Sequence, residues 1–167
     1  EWSHAAKFAS AVGCDLALYD YPKVPEHNSR MTRATTLTAY DMIAERYGDD
    51  NMAIAGLSAG GSLAVSTMLQ LHRDGRSMPN AAALFSPWLD MTVAHPDAAT
   101  VDTDMLLPIE ILRHDGRLYA GPMELTNPLV SPRFTTGQEL AALPPTVVTA
   151  GERELLLPEG QEFVNNL

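Results

Sequence analysis

The stretch Ile54-Ala-Gly-Leu-Ser-Ala-Gly-Gly61 decides the fold. A short apolar run over 51–56 ends in a glycine-flanked serine, and helical spacing begins directly behind it. Ser58 stands between Gly56 and Gly60 in the pattern G-x-S-x-G, and Gly61 extends the small-residue patch. A strand that turns into a helix at a serine holds that residue on a strained bend with its hydroxyl clear of the sheet. Side chains two positions before and after the serine would collide there, so glycine is expected at both places. The Ala59 amide then lies at a helix N-terminus, where N–H groups without intrahelical acceptors face any oxyanion that forms. The competing reading is a glycine-rich strand-to-helix turn whose serine only caps the helix.

Outward from this bend the chain alternates. Residues 2–12 carry Trp2, Ala5, Ala6, Phe8 and Ala9 at helical spacing, with Gly13 as the stop. Asp15-Leu-Ala-Leu-Tyr-Asp20 reads as a short strand, and 21–27 as a loop because Pro22 and Pro25 bracket it. Helical spacing returns over 31–47 through Met31, Ala34, Leu37, Tyr40, Ile43 and Ala44, ending at Gly48. A helix is expected over 59–73, then a strand over 81–85 that leads into Ser86-Pro-Trp-Leu-Asp90. Further on come a helix near 108–119, a strand over 146–150 and a closing helix over 158–167, with Pro158 in its first turn. This order predicts an α/β fold: a mostly parallel sheet with helices on both faces.

The bulk properties narrow the partners. At 167 residues with 46% hydrophobic and 19% charged content, the chain can build one domain with a real core. Its net charge of −10 leaves no basic stripe to neutralise phosphates, which argues against nucleic acid and anionic membranes. No run approaches the roughly 18 apolar residues of a membrane span. The single Cys14 excludes an intrachain disulfide and a multi-cysteine metal site. It reads as a buried small hydrophobe, and its chemistry suits a reducing, cytoplasmic compartment.

Several islands together resemble a known family. They are Asp20-Tyr-Pro22 with Pro25-Glu-His27, Gly56-Leu-Ser-Ala-Gly-Gly61, Ser86-Pro-Trp-Leu-Asp90, Asn127-Pro-Leu-Val-Ser-Pro132 and Leu143–Leu157. In this order they are similar to the hormone-sensitive-lipase-like esterases, the α/β-hydrolases that include bacterial carboxylesterases and acetylhydrolases. Two positions depart from the family's habit: Leu57 stands where it usually has Asp, and Asn127 closes a phrase that usually carries Asp. Neither belongs to the catalytic set.

The resemblance implies a serine carboxylester hydrolase for short acyl esters, working through a covalent acyl-enzyme without metal or cofactor. Ser58 would be the nucleophile and the Ala59 amide half of the oxyanion hole. The family's pattern after the strand ending near Ala150 places the triad acid on Glu154, with Glu152 as the competitor. The family's histidine should follow the acid, yet His4, His27, His72, His95 and His114 all precede it. His95 or His114 could substitute only with hydrogen-bond reach to Ser58. No His-Gly-Gly-Gly run is present either. Since Glu1 is not a methionine and the chain stops inside an expected helix, it reads as one partial catalytic domain, truncated at both ends.

Truncation of that kind would leave the strands at 15–20 and 51–56 without a shared neighbour, so 1–167 alone is expected to be poorly soluble or molten. Trp88, after the strand that follows the nucleophile helix, lines the pocket rim or packs the core. Asp97, Asp102 and Asp104 match no calcium-loop spacing and read as a solvated face. Two alternatives stay open. One is a thioester or acyl-peptide hydrolase on the same fold; the other is a non-catalytic binding protein, as in the gibberellin receptors, which lack the histidine.

Overall fold

A computed structural model describes residues 2–100, 104 and 106–167, and the backbone alone of Trp2, His4, Ala99 and Thr100. Helix α1 is Trp2–Val12, stopped at Gly13, whose φ of 73° suits a residue without Cβ. Helix α2, Ser29–Tyr47, starts before its first apolar residue because the Asn28 side chain accepts the amides of Arg30 and Met31. Strand β1 is Ala53–Leu57, helix α3 Ala59–Arg73 and strand β2 Ala81–Phe85. They are followed by α4 Ile109–Ala120, the short α5 Gly137–Leu140, β3 Thr146–Thr149 and α6 Leu157–Asn166. Short 3-10 turns sit at 49–51, 96–100 and 132–134.

The strands form a parallel three-stranded sheet in the order β1-β2-β3. Its register aligns Leu57 with Phe85 and Phe85 with Thr149, so all three strands finish at one edge. Ile54, Ala82, Leu84 and Val148 point to one face and pack with Ala64, Val65, Met68, Leu69 and Phe163. Helices α3 and α6 therefore cover that face. On the other face Ala53, Ala55, Leu57 and Val147 are exposed, Leu57 by 68% and Val147 by 56%.

The strand expected at 15–20 does not form. Those residues lie outside any ladder, and Leu16 and Leu18 are 41% and 47% exposed. A strand exists only as half of a hydrogen-bonded pair, and no partner reaches this segment among the described residues. Its start is tied instead by the Tyr47 hydroxyl, which donates to Asp15 Oδ2 at 2.8 Å. Cys14 beside it is exposed and free, which corrects the expectation of a buried thiol. It follows the Gly13 turn into a segment with nothing packed over it.

Candidate active site

The bend after β1 is built by backbone. Ser58 has φ 54° and ψ −121°, a conformation costing a non-glycine residue on the order of 1–3 kcal/mol. Its N–H donates to the Phe85 carbonyl at 2.9 Å, and its carbonyl accepts the amides of Gly61 at 2.9 Å and Trp88 at 3.1 Å. Ser58 occupies the N-cap position of α3, yet its hydroxyl makes no capping hydrogen bond. The hydroxyl of this half-buried residue is thus withheld from the role that a serine at this position ordinarily takes.

The glycines divide the crowding differently from the expectation. A Cβ on Gly56 would stand 2.2 Å from the Gly60 carbonyl oxygen, and one on Gly61 would stand 2.6 Å from Pro87 Cβ. A Cβ on Gly60 would meet nothing within 4 Å. Gly60 contributes its carbonyl to the clash, so the tight positions are Gly56 and Gly61. The amide of Ala59, the first helical residue of α3, belongs to the opening turn that lacks intrahelical acceptors.

Glu154 lies on the loop between β3 and α6, half-buried, whereas Glu152 is exposed. The Glu154 carboxyl folds back over Gly151, where a Cβ would come within 2.9 Å of Oε1. Its Oε2 is buried and has no hydrogen-bond partner among the described residues. Such an oxygen is an acceptor waiting for a donor, and leaving it so costs about 1–3 kcal/mol. Ser58 and the Glu154 loop leave the same end of the sheet from β1 and β3, two strands or about 10 Å apart.

The rest of the site is bracing. Ser86, φ 43°, donates its N–H to the Thr149 carbonyl at 2.6 Å and so carries the ladder one residue past β2. Trp88 is 7% exposed, donates its indole N–H to the Asp90 carbonyl at 2.9 Å, and packs with Met91, Leu112, Val130 and Leu155. It packs in the core, the second of the two readings its position allows. His95 faces Glu162 at 3.5 Å and takes the Asp97 amide on Nδ1, and His114 is exposed on α4. The contacts seen for His95 are thus with acidic neighbours and none is with Ser58.

Sequence reasoning missed the roles of five polar residues. Asp104 was read as solvated, but it accepts the amides of Leu106 at 2.9 Å, Leu107 at 3.1 Å and Leu155 at 2.9 Å. Those bonds outweigh its partial burial and hold its carboxyl below the usual carboxylate range. Asp102 and the side chain of His4 lie outside the described residues. Glu159, 4% exposed, accepts the Leu89 amide at 2.5 Å. Arg133 bridges the fully buried Asp90 at 2.8 Å and Glu162 at 2.5 Å.

A parallel sheet ending in a strained serine turn, with Glu154 on a loop two strands away, is the arrangement of the α/β-hydrolase fold. A family model for the α/β hydrolase fold matches residues 1–167, and the chain belongs to that family. It is 31% identical over 158 residues to an esterase of Acinetobacter venetianus, covering 93% of this chain and 51% of that protein. An acetyl-hydrolase of Streptomyces hygroscopicus is 28% identical over 154 residues, 91% of this chain and 50% of the relative. A crystallised esterase from the bacterial hormone-sensitive lipase family superposes with a TM-score of 0.86 at 31% identity, covering 95% of this chain and 53% of its own. The chain spans about half the length of the curated relatives it matches. Among the described residues no helix is long and apolar enough to cross a membrane.

Proposed function

We propose that this chain is the nucleophile-bearing half of a carboxylester hydrolase that cleaves short acyl esters through a covalent acyl-enzyme. The observation that carries the reading is Ser58 at the N-cap of α3, in a left-handed conformation, with a hydroxyl that does not cap. That is costly as architecture and useful as chemistry. In the proposed reaction Ser58 Oγ attacks the ester carbonyl while an imidazole takes its proton. The Ala59 amide receives the developing oxyanion, and Glu154 fixes and stabilises the imidazolium. The Oε2 of Glu154, unpartnered among the described residues, supports its choice over the exposed Glu152.

The histidine and the second oxyanion donor are assigned to parts of the protein beyond residues 1–167, an assignment supported by the relatives' twofold greater length. One missing oxyanion donor costs about 2.7–4 kcal/mol of transition-state stabilisation, so these residues alone should be almost inert. Short acyl groups as substrates draw support from the acetyl-hydrolase relative. The exposed free thiol of Cys14 supports a reducing cytoplasm as the compartment.

The test is turnover by the intact protein of p-nitrophenyl esters from acetate to palmitate, with Ser58→Ala as control. Activity that peaks at short chains and is abolished in S58A supports the proposal. Undiminished turnover in S58A rejects it, and tight binding of a small ligand without turnover favours a receptor-like protein.

A further inference from the structure

Two consecutive amides after β2 reach to opposite sides of the candidate site. Trp88 N–H donates to the Ser58 carbonyl at 3.1 Å, and Leu89 N–H donates to Glu159 Oε1 at 2.5 Å. Glu159 stands in the first turn of α6, on the helix that the Glu154 loop enters. We propose that Glu159 is a positioning residue, whose buried carboxyl fixes the Glu154 loop relative to Ser58 through the Trp88–Leu89 strip. This inference rests on the reading of Ser58 and Glu154 as nucleophile and acid.

Within α6, Glu159, Gly160 and Phe163 are the buried residues, and Glu159 stands four residues before Phe163, so it occupies a core-facing position. An apolar side chain would fill that place at no desolvation cost. A carboxyl is justified there by what it holds, and the amide it holds is adjacent to the one bonded to Ser58. One turn further along α6, Glu162 meets Arg133, which also grips Asp90, the residue after Leu89. The helix is therefore joined to the segment after β2 at two successive turns. From the other side, Asp104 takes the Leu155 amide directly behind Glu154. A shift of about 1 Å in a catalytic group can cost a hundredfold in rate, which is the scale on which such bracing matters.

The test is a double-mutant cycle in the intact protein on a short acyl ester. Glu159→Gln keeps an acceptor for Leu89 and should retain kcat within about threefold. Glu159→Leu keeps the bulk and loses the acceptor; it should lower kcat about 10- to 100-fold with KM little changed. In a Glu154→Gln background the same leucine substitution should cost almost nothing, because the group it positions is already disabled. Should E159L not fold, Glu159→Asp, too short to reach Leu89, takes its place in the cycle. An equal loss in both backgrounds, or full kcat in a folded E159L or E159D, overturns the inference while leaving the nucleophile in place. Undiminished activity in Ser58→Ala overturns the functional reading and the inference with it.

Discussion

The Gly60 carbonyl oxygen occupies the space that a side chain on Gly56 would need, 2.2 Å from an ideal Cβ. The strand-to-helix bend at Ser58 is thus closed by one backbone segment pressed on another. Backbone cannot yield as a flexible side chain does. The tightness of the bend at Ser58 follows from that contact.

Substitutions at the glycines should separate accordingly. Gly56→Ala forces the bend open and should destabilise by at least the 1–3 kcal/mol of an overpacked core, with loss of esterase activity. Gly61→Ala meets Pro87 at 2.6 Å and should behave alike. Gly60→Ala should fold normally, since its new methyl group meets nothing within 4 Å. Thermal unfolding of the three variants checks the order; a Gly60→Ala as unstable as Gly56→Ala would show the bend to be built differently.

Neutralising the proposed acid should leave the fold alone and remove turnover. Glu154→Gln is expected to lower kcat by about 10³–10⁴-fold, as expected when the imidazole loses its orienting carboxylate. Glu152→Gln should stay within about twofold of the parent, because that side chain is exposed. Steady-state kinetics on both variants decides which glutamate serves; the reverse pattern would move the acid to Glu152.

Two carboxylates, the buried Glu159 and the partly buried Asp104, should give stability opposite pH slopes. Burial first, aided by the neighbouring charge of Asp90, raises Glu159 well above the ordinary carboxylate range, against the Leu89 and Asp90 amides and the Arg133 charge. The folded protein then holds a proton that the unfolded chain has released. Stability should fall as pH rises from the ordinary carboxylate range to the raised value, and level off above it. For Asp104, partial burial is outweighed by three amide bonds and the folded value is lowered. Its contribution is present at neutral pH and lost as the pH drops below the ordinary range through the depressed value. Chemical denaturation across pH should show the first slope vanish in Glu159→Gln and the second in Asp104→Asn.

Residues 1–167 produced alone should be loosely folded. Leu57 and Val147 lie open on one face of the sheet, and neither outer edge of β1 or β3 has a ladder partner among the described residues. Strong binding of a hydrophobic dye and a broad thermal transition are expected. A sharp, cooperative melt would contradict this.

Most of the architecture was legible because it is local. The elbow at Ser58, the strand at 81–85 and the helix over 59–73 are written in nearest-neighbour spacing, and all appear with these bounds. The segment 15–20 has the same apolar character, but a ladder depends on a partner that no local pattern reveals. Trp88 was ambiguous for a related reason, since its position after β2 suits either rim or core until its neighbours are known. Glu159 carries a faint signal: a charge stands four residues before Phe163, where the helical period calls for an apolar residue. Gly60 was misread because the G-x-S-x-G pattern assigns both glycines one role, whereas one gives the clash and the other receives it.

Ser58 as a nucleophile is tested most directly by the mass of the intact protein after reaction with a fluorophosphonate probe, with the adduct mapped by peptide sequencing. A single adduct on Ser58, blocked by a short acyl ester and absent in Ser58→Ala, is the predicted result. A protein that turns over esters with Ser58 unmodified, or that carries its adduct on another residue, would contradict it.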